Sequence, residues 1–135
     1  MTSKTINIGL LIARVTLGAS MVIHGLPKLM GGAAKWEGIG KAMGFLGINF
    51  APVFWGACAS FAEFFGGAFI LLGIFMRPST LAVASTMTVA AIFHLAKGDG
   101  FMRASHAIEL GLFAIALFFT GPGAFSLKSF YKKGE

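Results

Sequence analysis

Arg14, His24, Glu63, His94, His106 and Glu109 are the side chains of this 135-residue chain that can do chemistry where they stand, because each falls within or at the edge of an apolar stretch. An ionisable group at the centre of a lipid-spanning helix costs on the order of 2.5 to 3.5 kcal/mol, so each needs a partner or a purpose. Arg14 and Glu63 both lie about twelve residues from the long connection between the first two apolar stretches, which places them about 18 Å below one surface if the stretches are helices. Matched depth predicts an Arg14–Glu63 ion pair, which either serves a site or pins two helices together. His24, His94 and His106 fall on the same half of the chain's layout, and Glu109 follows His106 by three residues, on one face of a helix. Imidazoles that titrate near neutral pH beside buried carboxylates can pass the protons that accompany reduction or oxidation of a quinone. The same groups also offer nitrogen and oxygen ligands to a transition metal, or two axial ligands to a haem. The metal reading is the weaker one, since His106-x-x-Glu109 reverses the Glu-x-x-His order of di-iron bundles.

Four apolar segments must position these groups: roughly Ile6 to Leu26, Ala51 to Ile74, Ser79 to Ala96 and Ala104 to Thr120. Each is about the 17 to 25 residues that cross the hydrocarbon layer as a helix, the last two near the short end. Met76-Arg77-Pro78 makes a tight connection with a proline suited to a helix start, while Gly98-Asp99-Gly100 and Gly121-Pro122-Gly123 close the third and fourth segments. In the long connection from Pro27 to Pro52, Trp36, Ile39, Met43 and Leu46 fall at helical spacing, with Lys35, Glu37 and Lys41 in other directions. That pattern fits a short interfacial helix, and Gly38, Gly40, Gly44 and Gly47 fit a plain loop equally well. Ala82, Thr86 and Ala90, the pair Ala107 and Gly111, and Gly66-Gly67 are small residues that let helices approach closely. The expected fold is an all-α integral membrane four-helix bundle, a single domain over residues 1–135.

Composition sets the solvent. With 56% hydrophobic and 12% charged residues and a mean hydropathy of +0.82, the chain is too apolar to bury itself in one soluble core of this size. A net charge of +6 raises the question of nucleic acid, but the basic residues are scattered over segment ends, as membrane flanks are, so no nucleic-acid partner is expected. Four spans put both termini on one side, with Lys4, Arg77, Lys128, Lys132 and Lys133 there and Lys28, Lys35, Lys41, Lys97 and Arg103 opposite: five basic residues each, a tie. The compact C-terminal lysines lean the termini towards the cytoplasm. Arg14 in the middle of the first segment, with no small-residue cleavage site after it, reads as a retained helix and not a signal peptide. Lone Cys58, inside an apolar run, reads as a small core residue without disulfide or zinc chemistry. Phosphate-binding, Rossmann, nucleophile-elbow and HExxH motifs are all missing, and a transport path through four short spans is cramped without oligomerisation.

Several elements occur together at fixed intervals: Arg14-Val-Thr-Leu-Gly18, then His24-Gly25-Leu-Pro-Lys28-Leu, then Glu63-Phe-Phe-Gly66-Gly67 with Leu72-Gly73 and Arg77-Pro78, and finally His94 and His106 with Glu109. This set resembles the DoxX family of bacterial membrane proteins over about Ile8 to Gly121, most specifically in the joint R-x3-G, HG-x2-K and E-x2-GG elements. The resemblance implies a four-helix protein of the bacterial inner membrane. The family's namesakes are similar to subunits of a thiosulfate:quinone oxidoreductase tied to a terminal quinol oxidase, and many members carry an oxidoreductase name without an established reaction. Arg14, His24, Lys28, Glu63, Gly66 and Gly67 match the family pattern residue by residue, whereas His94, His106 and Glu109 match it less strictly. A lone cysteine departs from a thiol pair for thiosulfate handling, which puts that substrate in doubt.

The expectation is therefore a quinone-linked membrane redox subunit. His106, Glu109, His94 and His24 would form its catalytic cluster, Arg14 and Glu63 would set the deep electrostatics, and Lys28 would orient an anionic ligand. Quinone is the expected cofactor, with haem or a transition metal behind it, and the expected partners are lipid, a soluble redox protein and a second copy of the chain. Two other classes compete: a non-enzymatic scaffold that recruits a soluble enzyme, and small-molecule or metal transport by an oligomer.

Overall fold

The computed structural model describes residues 3–133. Six α-helices follow in order: α1 (Ser3–Met30), α2 (Gly32–Gly40), α3 (Pro52–Leu72), α4 (Met76–Lys97), α5 (Phe101–Thr120) and α6 (Leu127–Lys133), with a 3₁₀ turn over Lys41–Leu46. Helices α1, α3, α4 and α5 are long and apolar enough to cross a membrane, so the four-span all-α bundle is confirmed. The third and fourth spans are longer than expected, at 22 and 20 residues.

Helix α1 does not stop at Leu26; it carries Pro27 in its interior and continues to Met30. Proline removes one rung of the helical ladder, which neighbouring helices make tolerable in a membrane bundle. The consequence is chemical, because the extension turns Lys28 into a residue of the bundle. The long connection is helical after all: Trp36, Ile39 and Met43 turn inward, half-buried, while Lys35, Glu37 and Lys41 stay exposed. Only its second half tightens into the 3₁₀ turn, ended by Gly47 in the left-handed conformation that glycine adopts without penalty.

Glycine sets how closely the helices approach. A Cβ on Gly18 would lie 2.6 Å from the Leu71 backbone nitrogen, and one on Gly25 would lie 2.6 Å from that of Phe64, so α1 and α3 pack antiparallel, backbone against backbone. Adjacent Gly66 and Gly67 serve two neighbours, Gly67 facing Met21 and Gly18 of α1 and Gly66 facing Val83 and Ser79 of α4. Gly40 against Pro52 and Gly56 against Trp36 bring α2 onto the first turns of α3 in the same way. The core formed at these crossings includes Leu17, Met21, Ile70, Val83, Met87, Ala107, Ala114 and Leu117.

Candidate functional site

The α1–α3 register decides the fate of the two deepest charges. Gly18 lies against Leu71, so Arg14, one turn further along, comes level with Gly73 and not with Glu63. Ten residues of helix separate those two levels, about 15 Å. The expected Arg14–Glu63 ion pair is therefore not formed. Arg14, 2% exposed, donates through Nη2 to the Phe125 carbonyl and lies against the left-handed Gly73 that ends α3. A cation at that position faces the negative end of the α3 dipole.

Glu63, 1% exposed, is paired instead with Lys28, whose Nζ sits 2.7 Å from both carboxylate oxygens. Lys28 side-chain atoms are 33% exposed, so the ammonium reaches inward from the end of α1 while its stem follows the helix surface. Trp36 Nε1 donates to the Lys28 carbonyl at 3.0 Å, tying α2 to the last turn of α1.

This pair forms part of the wall of a half-open cavity of about 820 Å³ lined by α2, the 3₁₀ turn, α3 and α4. Its size falls within the range of small-molecule sites. Room comes from small residues: Ala59 and Ala62 on α3, and Ala82, Ser85, Thr86 and Ala90 on α4. Ala82, Thr86 and Ala90 thus open a cavity wall, where the sequence pattern suggested helix contact. Met43, Val89, Phe93 and Ile39 supply the larger apolar surface.

Two polar groups on this wall, Trp55 and Cys58, and a third behind it, Asp99, were not legible as such. Trp55 lines the cavity, and its indole Nε1 is buried with no hydrogen-bond partner. A buried N–H without an acceptor carries an unmet hydrogen-bond cost, which a ligand acceptor that reached it would relieve. Cys58, expected in the core, is exposed and faces the cavity from α3. Asp99, in the turn after α4, lies 2.8 Å from His94 Nδ1, and His94 itself lines the cavity. That hydrogen bond from His94, more than the nearby Lys97 and Arg103 charges, holds the Asp99 carboxyl below its ordinary value against the opposing effect of burial. Asp99 is then a carboxylate that only accepts, so Nδ1 carries the proton and Nε2 is the ring nitrogen left to act towards the cavity.

The expected four-residue cluster is divided. His24 on α1 and His106 on α5 do meet, with ring centroids 5.3 Å apart, but both are exposed at the α1–α5 seam. Glu109 is exposed on α5 and among the described residues makes no hydrogen bond or ion pair. His94 belongs to the other side, in the cavity with Lys28 and Glu63. No group of three His, Cys, Asp or Glu among the described residues is placed to hold a metal. The physical reason is angular: linear position fixes which half of the bundle a residue occupies, but not which face of its helix it takes.

The DoxX family model matches residues 9–96, about two-thirds of the chain, and this match spans both Lys28 and Glu63. The chain belongs to the DoxX family. A relative in Bacillus subtilis (strain 168), named "Putative oxidoreductase CatD", is 29% identical over 133 residues, covering 98% of this chain and 94% of its own length. No solved structure matches. This DoxX protein is thus a multi-pass membrane protein with an ion pair at the wall of a half-open cavity.

Proposed function

We propose that this DoxX protein is a redox component of the bacterial inner membrane and that a quinone headgroup occupies the cavity walled by α2, α3 and α4. The observation that carries the reading is the unpartnered Trp55 Nε1–H on the same apolar wall as the Lys28–Glu63 ion pair. A quinone ring is flat and apolar, with carbonyl acceptors at its edge, and the cavity offers it a donor, a cation and apolar walls. The oxidoreductase name of the Bacillus relative supports the same class of chemistry. A bound quinone would supply two-electron, two-proton redox chemistry, its electrons coming from a soluble redox partner and its protons from water. Trp55 would donate to one of its carbonyl oxygens, and the Lys28 ammonium, held by Glu63, would offset negative charge on the ring. His94, oriented by Asp99, would relay the protons one after the other through Nε2.

Cys58, the single thiol of the chain, reports directly on occupancy. A fully ring-substituted short-chain benzoquinone has no free ring position to alkylate the thiol, and it should slow maleimide labelling of Cys58 in the full chain in detergent. Trp55→Phe should weaken that protection about threefold to tenfold, the worth of one neutral hydrogen bond. Labelling that proceeds at the same rate under saturating quinone would overturn the proposal.

A further inference from the structure

The opposite end of the bundle holds a second cavity, of about 1020 Å³, between the start of α4, the end of α5 and α6. Arg77 and Lys128 are on its wall, with the hydroxyl-bearing Thr120 and Tyr131, and apolar surface comes from side chains such as Phe75 and Phe119. Among the described residues no acidic side chain lines it, and neither cation has a carboxylate partner. At the other end Lys28 and Lys41 are paired with Glu63 and Glu37, while Lys35, Lys97 and Arg103 have no carboxylate partner among the described residues. The Arg77 guanidinium carbon lies 5.9 Å from the centroid of the Phe118 ring.

We infer that this cavity binds an anionic phospholipid, with the phosphate on Arg77 and Lys128 and an acyl chain along the apolar wall. Place and chemistry agree. Helix α3 ends at Leu72, α4 begins at Met76 and α5 ends at Thr120, so the cavity sits where apolar spans give way to the polar boundary of the bilayer. Two cations without a carboxylate partner among the described residues suit a phosphate group, and the adjoining phenylalanines favour a phosphate that carries hydrocarbon over one free in water. The site shares no residue with the Lys28–Glu63 cavity, so the inference stands independently of any quinone.

Native mass spectrometry of the full chain in a neutral detergent tests this, with phosphatidylglycerol and phosphatidylcholine of identical acyl chains as probes. One phosphatidylglycerol should be retained in preference to phosphatidylcholine, and Arg77→Gln with Lys128→Gln should weaken it about 30-fold, as loss of two interfacial cations implies. Lys128→Gln alone, on an exposed helix, should give about a fivefold loss and serves if the double variant fails to fold. Lys41→Gln with Arg103→Gln, at the other end, should leave affinity within about twofold. Equal retention of the two lipids, or unchanged affinity in the Lys128 variant, would overturn the inference. Displacement by millimolar inorganic phosphate would overturn the lipid assignment in favour of free phosphate.

Discussion

Glu63 is buried far more deeply than its partner, and this asymmetry makes the two halves of the ion pair unequal under mutation. Lys28→Met leaves a carboxylate in the bundle with no cation, which costs about 3 kcal/mol or more unless it takes up a proton. Glu63→Gln leaves a lysine that can turn its ammonium outward, so the loss should be clearly smaller. Thermal unfolding in detergent should therefore rank Lys28→Met below Glu63→Gln in midpoint, and the double variant should fall near Glu63→Gln alone. Arg14 supplies the complementary test. Because its contacts are the Phe125 carbonyl and the end of α3, the effects of Arg14→Met and Glu63→Gln should add, within about 0.5 kcal/mol, in a double-mutant cycle. A strong coupling between them would restore the direct pair that depth matching suggested. The sequence identified both charges as costly and in need of partners, which holds. It misassigned the partners because helix register depends on Gly18 and Gly25 meeting α3, and nothing in residue counting reveals that meeting point. Trp55 was invisible for a related reason: an aromatic in a span reads as core until its N–H is seen to lack an acceptor.

At the scale of the element, α2 is the piece whose position makes the site. The spacing of Trp36, Ile39 and Met43 offered a helix there with a plain loop equally open, but not a wall packed onto α3 through Gly40 and Gly56. Gly56→Ala places a methyl group into the Trp36 carbonyl, so α2 must move away. That variant should raise hydrogen exchange across residues 32–46 and speed maleimide labelling of Cys58, while α4 and α5 keep their protection. The turn after α4 carries the pH-dependent element. Asp99 titrates lower in the folded chain than its ordinary value of about 3.9, so the stability it contributes is complete above that value and is lost as pH falls through the lower, folded one. Carbon NMR of the Asp99 carboxyl should find its midpoint below the ordinary range, and His94→Phe should return it towards about 3.9. A midpoint unchanged by that substitution would mean that His94 does not hold the carboxylate.

For the whole molecule, the placement of Lys28 changes the reading of topology. By sequence, the two ends carry five basic residues each, and only the compact C-terminal lysines lean the termini towards the cytoplasm. Lys28 is drawn into the bundle by Glu63, so it no longer counts as a flank, and four basic residues, Lys35, Lys41, Lys97 and Arg103, remain against five at the terminal side. The basic excess now lies with the termini, which the positive-inside rule places in the cytoplasm. This orientation points the α2 face and the Lys28–Glu63 cavity outward, so a partner delivering electrons there would have to work on the external side. It also sets Arg77 and Lys128 against the cytoplasmic leaflet, where anionic lipid gives the surface its negative potential. A single labelling experiment separates the two topologies. In a Cys58→Ala background, a membrane-impermeant thiol reagent applied to intact cells should label Lys41→Cys and spare Lys4→Cys. The reverse pattern would turn the molecule over, placing the cavity and any electron donor on the cytoplasmic side while leaving the internal geometry of both cavities untouched.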